Sequence, residues 1–549
     1  MTKFFNLLIA FFVCFTFAYG QTPTPHDWYY GNPGEGFNGI SMYKAYAEFL
    51  KGKPTKTVVV AIIDSGVDIN HEDLKDNVWV NTKEIPGNGK DDDNNGYIDD
   101  VYGWNYIGGP NGKNVGPDTY EATRVYAALK YKYENAVEAK LNKEQKAEYA
   151  EYKSAAEKVK AESEKAASNL KRMDAIGEKV MAALNAVKAE LGDKELNMEN
   201  ISAIDDSKGQ DIPMAKVLLT QYLSGNTDVN NIDDVKNIIQ EDINADKKRF
   251  QDQLDYAYNP DFDPRKTIVM DDYNNPRERN YGNNDVTGPD PLHGTHVAGI
   301  VGAVRNNNIG MDGVATNVKL MSVRTVPDGD ERDKDVANAI RYAVDNGASV
   351  INMSFGKGFG THKDVVDEAV KYAASKDVLL VHAAGNSAQN NDVVANFPNA
   401  QYDKKTGFLF FKKKRMAKNW IEVGALNYKD GEDAAAPFSN YGQTRVDLFA
   451  PGMKIYSTMP DNEYAELQGT SMAAPVVAGV AAVIRSVYPK LTAEQVKEAI
   501  MKSVTPLNHN VKVPGTKEIQ PFSKLSVSGG VVNLYNALVY ASTMKGKKK

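Results

Sequence analysis

Residues 57–63, TVVVAII, form an almost wholly apolar, β-branched run that stops on an acidic residue, Asp64. A strand with one wet face alternates apolar and polar side chains. A run without alternation reads as a strand buried on both faces of a parallel sheet. Such a sheet needs crossover helices to cover it, and the sequence supplies candidates. Residues 318–323, 349–353, 378–383, 421–425 and 446–449 read as further strands. Residues 293–304, 334–345, 363–374, 471–487 and 493–503 read as helices, the last capped by Thr492 with Gln495 three residues on. This alternation predicts an α/β fold, a mostly parallel open sheet with helices on both faces. In such sheets chemistry collects beyond the carboxyl ends of the strands. Asp64 ends one strand and Asn386 follows another, so both are expected on one rim.

Between these blocks the texture changes. Residues 118–258 are rich in Ala, Lys and Glu. One stretch places Tyr149, Tyr152, Ala156, Val159, Ser163, Ala166, Leu170, Met173, Gly177, Val180, Leu184, Val187 and Leu191 at alternating spacings of three and four. That heptad seam, weakened only at Ser163 and Gly177, predicts a long helix packed as a coiled coil, from a cap at Asn142 to a stop at Gly192. Residues 118–141 and 232–257 are its candidate partners in an inserted helical hairpin or bundle; a solvated single helix is the alternative. The flanking residues 21–117 and 259–541 are expected to form one discontinuous domain, with 542–549 a basic, solvated tail.

The net charge of −7 lacks the basic excess of a nucleic-acid binder, and the local patch Lys412, Lys413, Lys414 and Arg415 reads as a solvated loop face. Residues 1–20 read as a secretory signal: Lys3, an apolar stretch, then Ala18-Tyr19-Gly20, with cleavage expected before Gln21. The single cysteine, Cys14, lies inside that segment, so the mature chain is expected to be cysteine-free, with neither a thiol nucleophile nor thiolate metal sites. No later stretch is long and apolar enough to cross a bilayer. The protein is expected to be secreted, periplasmic or extracellular, with no membrane contact after signal cleavage.

Three segments carry candidate chemistry. Asp64, before Ser65-Gly66, is placed to orient an imidazole. His293 opens HGTHVAGI, a helix start that would hold a general base rigidly, while His296 fits a structural role. The pair lacks the spacing and the Glu of a zincin site. Ser471, in GTSMAAP, sits at a helix start whose partial positive charge favours a developing oxyanion.

Together AIIDSGVD, HGTHVAGI and GTSMAAP, in that order, resemble the subtilase family of serine peptidases. The resemblance implies the subtilisin-like form of the α/β fold, polypeptide substrates, and a triad in which Ser471 attacks, His293 takes its proton and Asp64 holds the tautomer. VHAAGN then places Asn386 as the side-chain oxyanion donor beside Ala384 and Gly385. NMSFG resembles the strand that pairs with the substrate backbone, with Ser354, Phe355 and Gly356 as substrate-binding residues. No cofactor is expected for the chemistry. The alternative function is a non-catalytic peptide-binding relative of the same fold, which would be expected to have lost one of these groups.

Asp91, Asp93, Asn95 and Asp99, with the Tyr97 carbonyl, follow a D-x-D-x-N-G-x-x-D spacing like half an EF-hand. They read either as a structural calcium site, which the resemblance favours, or as an Asn/Asp-rich turn. Three departures from the family stand out. Residues 40–51 read as a helix of the main domain, leaving too little chain for a conventional prodomain. Leu292 precedes the histidine where the family often has Gly. The long insert reads as a lid or docking arm over the cleft, or equally as a dimerisation or spacer element through which the chain could oligomerise.

Overall fold

The computed structural model describes residues 25–225, 231–404 and 415–547. The expected signal, residues 1–20, and Lys412, Lys413 and Lys414 lie outside them. The chain forms two compact units, one spanning Ala122–Phe262 and the other Pro23–Glu121 with Asp263–Lys549. Each division falls four residues later than the change in composition at 118 and 258.

The helical unit is built from α1 (Glu121–Tyr133), α2 (Lys143–Leu191), α3 (Met198–Ser202), α4 (Ile212–Gly225) and α5 (Ile232–Asp252). α2 starts at a capping box in which Asn142 and Gln145 each accept the other's backbone N–H, and it ends at Gly192. Its buried residues include Tyr152, Val159, Ala166, Met173, Gly177, Val180, Leu184, Val187 and Leu191, so the seam is the packed face. Met173, Val180 and Leu184 share one core with Ala215 and Leu219 of α4 and with Val235, Ile239 and Ile243 of α5. Gly177, a weak point of the seam, is where α5 comes close: a Cβ there would lie 3.4 Å from Ile243. Toward its start α2 packs by rings, with Tyr126 stacked on Tyr152 and Tyr133 tilted against Tyr149. α1 and α5 fall within the expected partners; α4 was not foreseen.

The α/β unit contains β1 (Val58–Asp64), β2 (Gly103–Asn105), β3 (Val318–Arg324), β4 (Val350–Met353), β5 (Leu379–Ala383), β6 (Trp420–Leu426), β7 (Leu448–Pro451), β8 (Ile455–Met459), β9 (Glu463–Leu467), β10 (Thr505–Pro506), β11 (Asn510–Lys512), β12 (Ile519–Pro521) and β13 (Gly530–Val531). Nine of them form one sheet in the order β10-β13-β7-β6-β5-β4-β1-β3-β2, parallel except at the β10–β13 edge. Its helices are α6 (Leu292–Gly302), α7 (Asp333–Asp345), α8 (Lys363–Ser375), α9 (Thr470–Val487), α10 (Ala493–Lys502) and α11 (Leu534–Ser542).

The unalternating run of β1 has a direct counterpart in the packing. Val58, Val60 and Ile62 join the core formed with α6, α9 and α10, while Ala61 and Ile63 join the opposite core with α7 and α8. Both faces of the strand are covered, as a parallel sheet requires. β1 is flanked by β3 on one side and β4 on the other. The connections therefore diverge at the ends of β1 and β4, where open α/β sheets form a crevice. The expected helix at 40–51 is a short α-turn, Met42–Lys44, continued by a π-helical turn, Ala45–Leu50.

Leu184 is fully buried in the core of the helical unit. Leu184→Ala should lower stability by about 2–5 kcal/mol, read as a shifted loss of helical circular dichroism in denaturant. An unshifted transition would contradict the packing described.

Candidate active site

Asp64, at the carboxyl end of β1, is only 1% exposed. Its Oδ1 accepts the Ser65 N–H at 2.8 Å and lies 2.7 Å from His293 Nδ1. An ionised carboxylate only accepts, so this contact puts the ring proton on Nδ1 and leaves Nε2 as the basic nitrogen. Residue 294 must be glycine for α6 to come this near: a Cβ there would sit 2.0 Å from the Gly66 carbonyl. Partial burial pulls the His293 pKa down, but the charge and hydrogen bond of Asp64, with Asp290 adding, carry it above 6.5. His296, one turn on, is fully buried with Nε2 on the Ala465 carbonyl at 3.1 Å. Burial lowers its pKa to about 3, so it stays neutral and structural.

Ser471 lies in the first turn of α9, after Gly469, whose φ of +157° suits glycine. Its Oγ donates to the Ser354 carbonyl at 3.0 Å, and Ser354 Oγ returns a bond to the Ser471 carbonyl at 2.9 Å. This reciprocal pair ties the start of α9 to the end of β4. Asn386 follows β5; its Oδ1 accepts both the N–H and the hydroxyl of Thr470 at 2.8 and 2.9 Å. With the acceptor end occupied, Nδ2 takes no part in that pair and lies beside Gly469, where a Cβ would be 3.4 Å from it.

Ser354, Asn386, Thr470 and Ser471 border a cleft of about 330 Å³. Its lining includes one wall segment at Val326, Gly329, Asp330 and Glu331, a second at Ser354, Phe355 and Gly356, and Gly385, Asn386 and Ser471. Of the residues expected to bind substrate, Ala384 is buried, and its carbonyl accepts from Asn391, Asn396 and Asn440. Its neighbours Ala383 and Gly385 line the cleft instead. Asn396 was not foreseen, although its amide fills the space beside Gly356, where a Cβ would meet Nδ2 at 2.7 Å.

Two more positions escaped the sequence reading. Thr470 lies inside GTSMAAP, and the search for what holds the Asn386 acceptor could have found it. Arg324 is 2% exposed and pairs with Asp64 in the β1–β3 register. It donates to the carbonyls of Ser65 and Val115 and to Asn105 Oδ1. A lone Arg at a strand end carries no signal for that role.

In the acidic loop the side-chain oxygens expected to hold a metal accept hydrogen bonds. Asp91 accepts the N–H groups of Asn95 and Gly96, and Asp99 those of Asn88 and Gly89. Asn95 Oδ1 takes the Tyr97 N–H at 2.8 Å. These oxygens satisfy loop backbone, as Asx turns do. Among the described residues, the carboxylates that converge are Glu84, Asp93 and Asp100, with one oxygen of each within 4.8 Å of the others. Only Asp93 belongs to both sets.

Comparison with known proteins extends these observations. The Subtilase family matches residues 55–521. Over 249 residues the chain is 38% identical to the thermophilic serine proteinase of Bacillus sp. (strain AK1), covering 45% of this chain and 52% of that protein. It is 38% identical to subtilisin DY of Bacillus licheniformis over 217 residues, 39% of this chain and 71% of the relative. With thermitase of Thermoactinomyces vulgaris it shares 40% over 195 residues, 35% of this chain and 61% of the relative. The match thus spans about half the length of the first relative and more of the other two. Asp64, His293, Asn386 and Ser471 all lie within the family match, and the chain belongs to the Subtilase family.

Proposed function

We propose that the chain is an exported serine endopeptidase that hydrolyses polypeptides through an acyl-enzyme. The observation that carries this reading is the 2.7 Å contact of buried Asp64 with His293 Nδ1 at the end of β1, on the sheet rim where Ser471 is tied to the end of β4. In the resting state the Ser471 hydroxyl is on Ser354 O. Reaction begins when it turns to donate to His293 Nε2, an alignment that substrate binding tightens. Oγ attacks the scissile carbonyl carbon as its proton passes to Nε2. The oxyanion takes hydrogen bonds from Asn386 Nδ2 and from the Ser471 N–H, which as a first-turn group lacks an intrahelical acceptor. Collapse expels the amine, which takes the proton from the imidazolium. Water then repeats the sequence on the ester and frees Ser471. The apolar start of the sequence supports export.

Ser471→Ala should abolish fluorophosphonate labelling and casein cleavage while leaving the melting temperature within a few degrees. Continued cleavage at the wild-type rate would remove the mechanism. Asn386→Ala should cost about 2.7–4 kcal/mol in kcat, the loss known for subtilisin's own oxyanion asparagine, with KM nearly unchanged.

Because Asp64 raises the His293 pKa and neutral imidazole is the reactive form, kcat/KM should climb with pH through a midpoint above 6.5. Asp64→Asn removes the cause of the rise, so the midpoint should fall while kcat drops by about 10⁴-fold. A limb that stays in place in that variant would count against the assignment.

We also infer a structural calcium ion at the acidic loop, where Asp91, Asp93, Asn95 and Asp99 with the Tyr97 carbonyl offer hard oxygen donors of the kind calcium takes. Excess calcium should raise the melting temperature and a chelator lower it, with Asp93→Asn blunting both. Identical melting curves throughout would leave an acidic cluster only.

A further inference from the structure

The two walls of the cleft are not held by the sheet alone. An extended peptide lying between them needs strand-like spacing on each side, roughly 4.8 Å per pairing, so the gap must be set by something rigid. The wall at 329–331 rests on the segment 116–121. Asp328 N–H donates to Gly116 O and Asp118 N–H to Asp328 O, both at 2.9 Å. Gly329 is pressed so close that a Cβ would lie 2.4 Å from the Asp118 carbonyl. Arg332 grips Asp118 with two N–H groups at 3.0 and 2.9 Å, and the Glu121 N–H donates to Asp330 Oδ2 at 2.8 Å.

The second wall segment, Ser354 to Gly356, runs directly into Lys357, whose ammonium is wholly buried. Its Nζ reaches the Glu331 carbonyl at 2.9 Å, Glu121 Oε2 at 3.2 Å and Asp333 Oδ1 at 2.9 Å. The Thr361 hydroxyl donates to the other Glu121 oxygen. Glu121, 2% exposed, thus holds one wall through its backbone and the other through its carboxylate. It does not itself line the cleft. Buried charge-assisted bonds of this kind are short and directional, and breaking one leaves an uncompensated charge, so the tie resists opening.

We propose that Glu121 is a positioning residue that sets the spacing of the two substrate walls and thereby the gain from binding extended peptides. This deepens the peptidase reading and rests on it. A probe that touches only Ser471 does not need the walls; a four-residue peptide does.

The test compares Glu121→Gln with the wild type on peptide substrates carrying one to four residues before the scissile bond, alongside fluorophosphonate labelling. The wild type should gain kcat/KM with each added residue. Glu121→Gln should lose at least tenfold on the longest substrate and under threefold on the shortest and on labelling. Thr361→Val, which leaves both charges in place, should lose a smaller part of the same gain, and it carries the comparison if Glu121→Gln does not fold. The double variant Glu121→Gln/Lys357→Met should recover melting temperature but not the length dependence. An intact length dependence in folded Glu121→Gln, or equal losses on all substrates and on labelling, would overturn the proposal. A wild type that neither labels nor cleaves would instead defeat the peptidase reading, and this role with it.

Discussion

The site depends on the close approach of α6 to the exit of β1. Gly294 lies against the Gly66 carbonyl, and no larger residue fits between the helix and the strand end. That approach puts the imidazole of His293 on Asp64, and the rest of α6 holds it there. Ser457 and Thr458 hydroxyls bond the carbonyls of His296 and Thr295, and His296 itself bonds the Ala465 carbonyl. Gly299 lets β8 in so closely that a Cβ would lie 2.3 Å from Thr458 Oγ1. The histidine is therefore a fixed part of the core at its backbone, while its side chain remains 37% exposed. Orientation gained in folding need not be gained again at each turnover.

A second constraint lies in the first turn of α7. Arg332 pairs with Asp118, Asp333 with Lys357, Lys334 with Asp271 and Glu278, and Asp335 with Arg265 and Tyr281. Lys334 and Asp335 are fully buried. Asp118 and Glu121 lie just before the helical unit leaves the α/β unit, and Arg265 and Asp271 just after it returns. Both connections are therefore anchored in the turn that also carries one wall of the cleft. Buried pairs of this sort add little net stability over apolar packing, but removing one partner is costly. Their effect is to specify one arrangement of the connections. Excision of the insert from residue 118 onward would take Asp118 and Glu121 with it and loosen the wall they support.

Much of the architecture was legible from period and punctuation. The unalternating run before Asp64 announced a strand covered on both faces, and the three-and-four spacing from Tyr149 to Leu191 announced the buried face of α2. The cap at Asn142 was readable because Gln145 follows at the required offset. Less was legible where a signal is short or ambiguous. β2 is three residues long, and α4, which opens on Ile212-Pro213, was not foreseen although a proline in the first turn favours a helix start. The D-x-D-x-N-G spacing of the acidic loop suits an ion and a backbone turn equally, and the oxygens of Asp91 and Asp99 accept N–H groups.

The sequence by itself determined the order of strands and helices, the long amphipathic face of the insert and the residue types of the triad, because each is written in local spacing or in a contiguous motif. Tertiary structure alone decided which donors hold Asn386, what Arg324 grips, and that the charged run Glu331 to Asp335 turns inward to brace a cleft. A run of that composition is ordinarily solvated. It is buried here because its partners, Asp118, Glu121, Arg265, Asp271 and Lys357, arrive from distant parts of the chain, and only in the folded state are the charges close enough to offset their loss of water.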